Sequence, residues 1–263
     1  MNEPFIIKVK YGGLGDHLFW SHLPRIAKTV GGYQRVYISN HSNFRHSDYR
    51  KLIWELNPYV DGFCDEDGPY PDSLAGENMN LLDQVMLARN LDDGKRFHEP
   101  EIYYKPKIKL DLKSAFVFDP NYVSYVGEIS NQKISAYLNK AGGVNYQMRL
   151  RGKGYGILKD VAVLDTSDIF EYCDIIASCK NFYCLSSGGA TLASALGKSA
   201  IVFYGVGQND IFRHSHLNQY VDASVNFSAF WVLKRQGQQL LNAALVKLGG
   251  MLNDHRETPR RPG

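Results

Sequence analysis

An aspartate that closes a glycine-rich loop is the first residue in the chain with clear chemical potential. The loop reads GGLGD at positions 12–16, between an apolar run and a helical pattern. Glycines let a ligand approach the backbone closely, and the N–H groups at a helix start attract anions. Asp16 is therefore either an ordinary helix cap or a carboxylate placed to act as a general base. His17, the next residue, is a candidate for lining the same crevice.

A second loop has the composition of a phosphate-binding turn. It reads SSGGAT at positions 186–191, after an apolar run and before another helical pattern. Small hydroxyl side chains and glycines at a helix start form a cradle for phosphate oxygens. The alternative is a plain cap by Ser187, with glycines that let the helix pack closely on a sheet. The small residues ASALG at positions 193–197 favour that close packing and direct the helix start at the crevice.

The elements that must position these loops alternate between strand and helix. Predicted strands comprise residues 5–11, 35–39, 60–64, 115–119, 146–150, 161–164, 182–185 and 200–204. Predicted helices comprise residues 16–30 with a kink at Pro24, 48–55, 79–90, 133–140, 168–178, 190–196 and 238–252. Residues 97–113, rich in Pro and Lys, predict an extended connector between two α/β units with parallel sheets. Ligands bind beyond the carboxyl ends of parallel strands, so a ligand between the units would meet both loops.

Composition excludes several classes of protein. A chain of 263 residues with 44% hydrophobic and 22% charged side chains is globular, not disordered or collagenous. A net charge of +3 is too small to indicate a nucleic-acid partner, and the basic run at 255–263 is typical of a solvated end.

The compartment can also be predicted from composition. Four cysteines without C-x-x-C spacing indicate reduced thiols, and no run approaches the roughly 20 apolar residues of a membrane span. The N-terminus has the pattern of a strand, not of a signal peptide. We therefore expect a cytoplasmic protein. The oligomeric state does not follow from the sequence.

At this point two blocks resemble one family of enzymes. GGLGDHLFWSHLPRIAK at positions 12–28 resembles the N-terminal signature of the heptosyltransferase-type glycosyltransferases. The block at positions 165–205, with its serine–glycine loop and following strand, is similar to their C-terminal block. The opening GGLGDHLF is also similar to the GGLGNQ(M/L)F start of inverting fucosyltransferases. The two heptosyltransferase-like blocks cover about a quarter of the chain.

The resemblance implies an α/β GT-B-like fold, with two Rossmann-like domains whose parallel sheets face each other across a cleft. It places an acceptor domain at residues 1–109 and a nucleotide-sugar domain at 110–235, followed by a C-terminal helix and flexible basic tail at 236–263. The implied activity is inverting transfer of a sugar from a nucleotide-diphosphate donor to a hydroxyl of a glycan acceptor, of the surface polysaccharide or lipopolysaccharide type. No metal or other cofactor is implied.

Individual roles carry over only at matching positions. Asp16 is the implied base, with Gly13 and Gly15 in the acceptor-side loop. Ser187, Gly188 and Gly189 are the implied contacts to the donor phosphates.

The chain departs from the family at two donor positions. Ser186 stands where the family has Asp, and Thr191 stands where it has His, so both are donor-binding candidates and an ADP-heptose donor is not inherited. The family's Lys-x-Trp element is absent near residues 119–129.

Such a transfer needs positive charge near the departing diphosphate. Arg149, Arg151 and Lys153, in the segment RLRGKG after a predicted strand, are the donor-side candidates, and Arg213 is another. The alternative is that RLRGKG forms a solvated turn.

Three other functions stay open. The string Asp65-Glu66-Asp67 is typical of a metal-dependent GT-A glycosyltransferase, although it lies in a turn-rich stretch. The altered donor loop is compatible with a nucleotide- or glycan-binding protein without catalysis. A glycosyltransferase acting on modified DNA bases is a third alternative, which the weak positive charge does not favour.

Overall fold

The chain builds one parallel β-sheet on each side of the Pro- and Lys-rich connector. A computed structural model describes residues 3–71, 79–123, 126–151, 158 and 160–225. The predictions for Lys153, for the helix at 238–252 and for the basic tail lie outside these residues. The described residues up to Ser224 group into one compact unit. The predicted domain boundaries at 109 and 235 remain predictions.

The smaller sheet contains three short parallel strands in the order β1-β2-β3. They are β1 (Phe5–Ile7), β2 (Val36–Ser39) and β3 (Gly62–Cys64). The helices of this half are α1 (Leu14–Leu18), α2 (Leu23–Thr29), α3 (Ser47–Tyr49), which continues as a π-helical turn over Arg50–Glu55, and α4 (Leu81–Ala88). The glycine-rich loop leaves the carboxyl end of β1 and enters α1, as predicted.

Pro24 corrects one predicted element. The sequence pattern predicts a single kinked helix over residues 16–30, whereas the structure contains two helices separated by a turn. Pro24 is the second residue of α2. In the first turn of a helix the backbone N–H has no intrahelical partner, so proline sacrifices no hydrogen bond there. Proline therefore starts the second helix and does not bend the first.

The larger sheet contains six parallel strands in the order β6-β5-β4-β7-β8-β9. They are β4 (Phe116–Asp119), β5 (Tyr146–Met148), β6 (Ala162–Leu164), β7 (Asn181–Leu185), β8 (Ala200–Tyr204) and β9 (Gln219–Asp222). The helices are α5 (Asn131–Lys140), α6 (Ile169–Ser178) and α7 (Gly188–Ala195). The edge strand β9 is not predicted from sequence, because its four residues show no apolar run. Between the halves, the connector is irregular except for a 3-10 turn at Leu110–Leu112.

The order of the larger sheet is that of a doubly wound Rossmann sheet. The connections run in one direction from β4 through β5 to β6, and in the other from β7 through β8 to β9. In such sheets a crevice opens at the point of reversal, beyond the carboxyl ends of the two central strands. Asp119, at the end of β4, pairs in register with Cys184 near the end of β7. The loops after β4 and β7 therefore start side by side at this crevice.

Aromatic and aliphatic side chains fix the sheets against their helices. The largest fully buried side chains include Trp54 in the small-sheet half, and Phe118, Phe182, Tyr183 and Phe203 in the large-sheet half. Burial of each such side chain contributes about 1.5–3 kcal/mol. All four cysteines are free thiols, and three of them are buried. Within the described residues, every helix is too short or too polar to cross a membrane.

Candidate functional site

The two loops singled out by sequence meet in one cleft. It has a volume of about 370 Å³ and lies at the reversal point of the larger sheet, with α1 on its opposite wall. Gly13, Gly15 and Asp16 line one side, and Ser186, Ser187, Gly188, Gly189 and Thr191 line the other. The loops of the larger sheet add Asp119, Asn121, Arg149, Arg151 and Tyr172, and the smaller-sheet half adds Phe19, Arg45, His46 and Tyr49.

Glycines let the two walls touch. A Cβ atom built on Gly188 would lie 3.1 Å from the backbone nitrogen of Gly15 and 3.1 Å from Cβ of Leu14. A Cβ on Gly15 would lie 3.5 Å from Cα of Gly188. Such distances leave little room for a larger residue at position 188. The start of α1 and the start of α7 therefore pack backbone to backbone, and this brings Asp16 into the same space as the serine–glycine turn.

The Asp16 carboxylate is held by its own loop. The backbone N–H of Gly13 donates a hydrogen bond to Asp16 Oδ2 over 3.0 Å. Burial raises the pKa of Asp16 above its ordinary value of 3.8, while the Gly13 N–H and the Arg45 guanidinium lower it in part. A Cβ on Gly13 would lie 2.7 Å from Oδ2, so glycine is required there to keep the carboxylate in place. A fixed carboxylate with a raised pKa, open to a cleft, has the properties of a general base.

The serine–glycine turn presents the amino end of α7 to the cleft. Ser187 caps the helix by accepting a hydrogen bond from the Gly189 N–H over 3.4 Å. This bond is long, so an incoming anion can replace it at little cost. The eight-residue helix places partial positive charge at this end. Ser186 lies just before the cap, and its carbonyl accepts from the Gln208 side chain over 3.3 Å.

A buried polar network centred on Asp119 lies beneath the serine–glycine turn. The Tyr172 hydroxyl donates to Asp119 Oδ2. The Asn121 backbone and side-chain N–H groups donate to Asp119 Oδ1 over 2.9 and 2.7 Å. Burial raises the pKa of Asp119 and raises that of Tyr172 well above its ordinary value. Asn121 Oδ1 also accepts from the backbone N–H of Arg151 over 2.6 Å, which ties the loop after β5 to the end of β4.

Two guanidinium groups lie at the mouth of the cleft. Arg149 Nε donates to Asp165 Oδ2 over 2.6 Å, and Arg151 Nη2 donates to Asp165 Oδ1 over 3.0 Å. Arg151 also donates to the carbonyl of Thr166. More than half of each arginine side chain is exposed. Solvent therefore weakens these ion pairs, and both groups are free to turn towards an anion in the cleft.

The structure does not place His17 at the cleft. Its imidazole is fully buried, with Nε2 at 2.8 Å from the Asn43 carbonyl and Nδ1 accepting from Trp54 Nε1 over 3.0 Å. Its ring also stacks on Phe44. Consecutive helical residues point about 100° apart, so a helix that turns Asp16 to the cleft turns His17 into the core.

Two further candidates from the sequence are engaged elsewhere. Arg213 is not among the residues that line the cleft; it pairs with Asp210 and packs over the Tyr204 ring. In the acidic string, Asp67 accepts from Lys8 over 2.6 Å, and Asp65 accepts from the Asn40 side chain over 2.7 Å. In the part of the chain that the structure describes, no cluster of three His, Cys, Asp or Glu side chains could hold a metal ion.

Other residues of the cleft are not found by sequence reasoning. The pair Asp119 and Tyr172 is 53 positions apart, and only the fold brings it together. The position of Arg45 in the loop after β2 is a weak indication of a site residue, because the glycine-rich loop follows β1 in the same way. His214 contacts Thr191 from behind the cleft wall. Nothing in the local sequence around His214 indicates this contact, which joins residues 23 positions apart.

Comparison with solved structures finds the same fold in glycosyltransferases. The glycosyl transferase family 9 protein of Veillonella parvula has a TM-score of 0.57 at 9% identity, over 85% of this chain and 86% of that one. The iron-containing dodecameric glycosyltransferase TibC of enterotoxigenic E. coli has a TM-score of 0.59 at 14% identity, over 82% of this chain and 62% of TibC. The E. coli ADP-heptose LPS heptosyltransferase II has a TM-score of 0.55 at 12% identity, over 93% of this chain and 100% of that one.

These similarities confirm the predicted fold class. The chain is an α/β protein with two parallel sheets, and its structural neighbours are GT-B heptosyltransferases. The chain spans less than two thirds of the length of TibC. No protein-family model matches the sequence, and no curated protein matches it.

Proposed function

We propose that this protein is an inverting, metal-independent glycosyltransferase. It moves a sugar from a nucleotide-diphosphate donor to a hydroxyl of a glycan acceptor, of the surface polysaccharide or lipopolysaccharide type. The acceptor lies against the half formed by residues 1–109, and the nucleotide sugar lies against the half formed by 110–235.

One observation carries the proposal. Asp16 and Ser186 are 170 positions apart in the chain, yet both line one cleft, and the glycines beside them are in contact. A transferase needs a base and an anion cradle on opposite sides of one reacting carbon. The fold supports the same reading, because the structural neighbours include enzymes named for sugar transfer from ADP-heptose.

In the proposed reaction, Asp16 activates the acceptor. The carboxylate takes the proton of the acceptor hydroxyl while that oxygen attacks the anomeric carbon of the donor sugar. The bond from the anomeric carbon to the diphosphate oxygen breaks, and its electron pair leaves with the diphosphate. Attack opposite the leaving group inverts the configuration. General base catalysis of this kind contributes about 10²–10⁴-fold to a rate.

The opposite wall stabilises the departing diphosphate. The N–H groups at the start of α7, around Gly188 and Gly189, point at developing negative charge once the anion replaces the long cap bond from the Gly189 N–H to Ser187. Arg149 and Arg151 add cationic hydrogen-bond donors once they turn from Asp165 to the phosphates. Lys153, the third cationic candidate from the sequence, lies outside the described residues.

A thermal-shift screen tests the donor part of the proposal. The protein is heated with each of UDP, GDP, ADP, CMP and dTDP and with their sugar derivatives, with EDTA present throughout. A ligand at 100 times its Kd stabilises the fold by about 2.7 kcal/mol. For a domain of this size that raises Tm by roughly 5–10 °C. We expect one of the diphosphates to stand out. A shift with CMP alone, or with none of the ligands, contradicts a nucleotide-diphosphate donor.

Turnover of the selected nucleotide sugar tests the catalytic part. Asp16→Asn should bind the nucleotide as the wild type does and lose at least about 100-fold in turnover, because a general base is removed. Asp111→Asn changes an exposed carboxylate that does not line the cleft; it is the matched control and should keep wild-type turnover. Binding without turnover by the wild type, with all acceptors and water, would identify a non-catalytic nucleotide-binding protein instead.

A further inference from the structure

A buried histidine contacts the cleft wall formed by the serine–glycine turn at 186–191, on the side facing away from the cleft. His214 is 2% exposed, and its Nε2 lies 3.2 Å from Thr191 Oγ1. Its ring packs edge-on against Phe19, another residue of the cleft, with 5.1 Å between ring centroids. Within the described residues, Nδ1 has no hydrogen-bond partner. Among the described residues the imidazole thus has a single hydrogen-bond contact, and that contact is a hydroxyl of the proposed donor site.

The environment fixes the protonation of this ring. Burial lowers the pKa of His214 to about 4, so the ring is neutral between pH 5 and 8. A neutral imidazole carries one N–H, on either nitrogen. An N–H at the orphan Nδ1 would be a buried donor without an acceptor, which is costly. The favoured tautomer therefore carries its proton on Nε2 and donates it to Thr191 Oγ1.

This donation determines where the Thr191 proton points. Oγ1 lies 3.4 Å from the Ser187 carbonyl, one helical turn earlier, and that distance gives only a weak bond. Since Oγ1 accepts from His214, its own O–H must point away from the imidazole. The weak bond to Ser187 can be exchanged for a stronger acceptor in the cleft, which Thr191 lines.

The backbone around His214 is held by the other half of the molecule. The Asn80 side chain, at the start of α4, donates to the His214 carbonyl over 2.8 Å. The His216 N–H donates to Glu99 Oε1 over 3.0 Å. These bonds fix the backbone at His214 and directly after it, so the ring stands on an anchored loop.

We propose that His214 is a positioning residue that orients the Thr191 hydroxyl to donate to a phosphate oxygen of a bound nucleoside diphosphate. The inference rests on the proposed function, because it assumes that the cleft binds that ligand. His214 itself does not touch the ligand. Its role is to hold the Thr191 hydrogen bond in the one orientation that serves an anion.

Calorimetric titration tests this arrangement with the nucleoside diphosphate selected by the thermal-shift screen and with the corresponding nucleoside. His214→Phe keeps a ring against Phe19 but removes the donor. We expect it to weaken diphosphate binding about 3–10-fold, the loss of one ordinary hydrogen bond, and to leave nucleoside binding within about 2-fold. Thr191→Val should weaken diphosphate binding about 10-fold or more, since its bond is to a charged group. The double variant should bind no worse than Thr191→Val alone.

Two conservative variants and one spectrum separate this role from a structural one. His214→Gln retains a side-chain donor and should recover most of the diphosphate affinity, and Thr191→Ser should bind like the wild type. Nitrogen chemical shifts should show the His214 proton on Nε2 throughout pH 5.5–8. Equal losses for diphosphate and nucleoside, additive losses in the double variant, or a proton on Nδ1 would each overturn the inference. If the wild type binds nucleoside diphosphates and His214→Phe binds them equally well, only this inference fails. If the wild type binds none of them, the proposed function fails with it.

Discussion

A methyl group at position 189 should break the polar network beneath the cleft. A Cβ atom built on Gly189 would lie 3.1 Å from Asp119 Oδ2 and far too close to the Tyr172 hydroxyl for both to remain in place. Tyr172 must then move off Asp119, because the helix backbone at 189 is packed against the sheet. Gly189→Ala therefore breaks the hydrogen bond between Tyr172 and Asp119, although residue 189 takes no part in that bond.

The cost can be worked out from these contacts. Loss of a hydrogen bond to a carboxylate costs about 1.5–3 kcal/mol, which is the expected effect of Tyr172→Phe. Gly189→Ala should cost the same bond plus about 1–3 kcal/mol of overpacking strain. Phenylalanine at 172 lacks the hydroxyl, and the new methyl would then meet its ring carbon at an ordinary 3.6 Å. In the double variant only the tight 3.1 Å contact with Asp119 Oδ2 remains, so its stability should be close to that of Tyr172→Phe. Additivity would instead give a loss of about 4–9 kcal/mol.

Urea denaturation of the four proteins measures this coupling directly. We expect the unfolding free energy of the double variant to lie within about 1 kcal/mol of that of Tyr172→Phe. Such a departure from additivity is larger than independent sites show. Tyr104→Phe is a matched control, since it removes a tyrosine hydroxyl that donates to Asp174 over 2.9 Å, away from Gly189. Its effect should add to that of Gly189→Ala. Additive behaviour of Gly189→Ala with Tyr172→Phe would refute the packing described for this wall.

Three further predictions concern charge and burial. Because burial raises the pKa of Asp16, turnover should fall on acidification at a higher pH than it would with an ordinary aspartate; a flat pH profile of turnover would contradict this. For the same reason Asp16→Asn should be at least as stable as the wild type at pH 8. Asn121→Ala removes the side-chain bonds to Asp119 and Arg151, so it should lower the unfolding free energy by about 1–3 kcal/mol. It should also weaken nucleotide binding, because it frees the loop of Arg151; an unchanged affinity in calorimetric titration would contradict this. His22 and His214 have pKa values lowered by burial to about 3 and about 4, so the unfolded chain binds protons that the folded chain cannot. The unfolding free energy should therefore fall by about 1.4 kcal/mol per pH unit per histidine from pH 6.5 towards 4. Urea denaturation at several pH values measures this dependence on pH, which should be weaker in His22→Phe.

Local pattern was sufficient to predict the frame of this protein. Short β-branched runs followed by helical periods gave the two parallel sheets, and loops at carboxyl ends of strands gave the two walls of the cleft. Details that depend on packing were not predictable. The break before α2 follows from where Pro24 sits in a turn of helix, and β9 forms only because β8 offers a parallel edge.

The site was predictable where chemistry and local sequence coincide. Asp16 and the turn at 186–191 have both a reactive residue type and a position after a strand. Asp119 ends a strand as well, but its partner Tyr172 lies in α6, 53 positions away in sequence. His17 illustrates the opposite error, since being next to Asp16 in sequence turns its ring to the other side of α1. Contacts of this kind are properties of the tertiary fold.

Hydrogen exchange with and without the selected nucleotide sugar tests the central claim most directly. If a single ligand lies between the two walls, it must slow exchange in peptides covering residues 12–18 and 186–192 together. A peptide from the connector at 102–112 should not change. Protection of only one wall, or of neither, would contradict the account of this cleft as one nucleotide-sugar site.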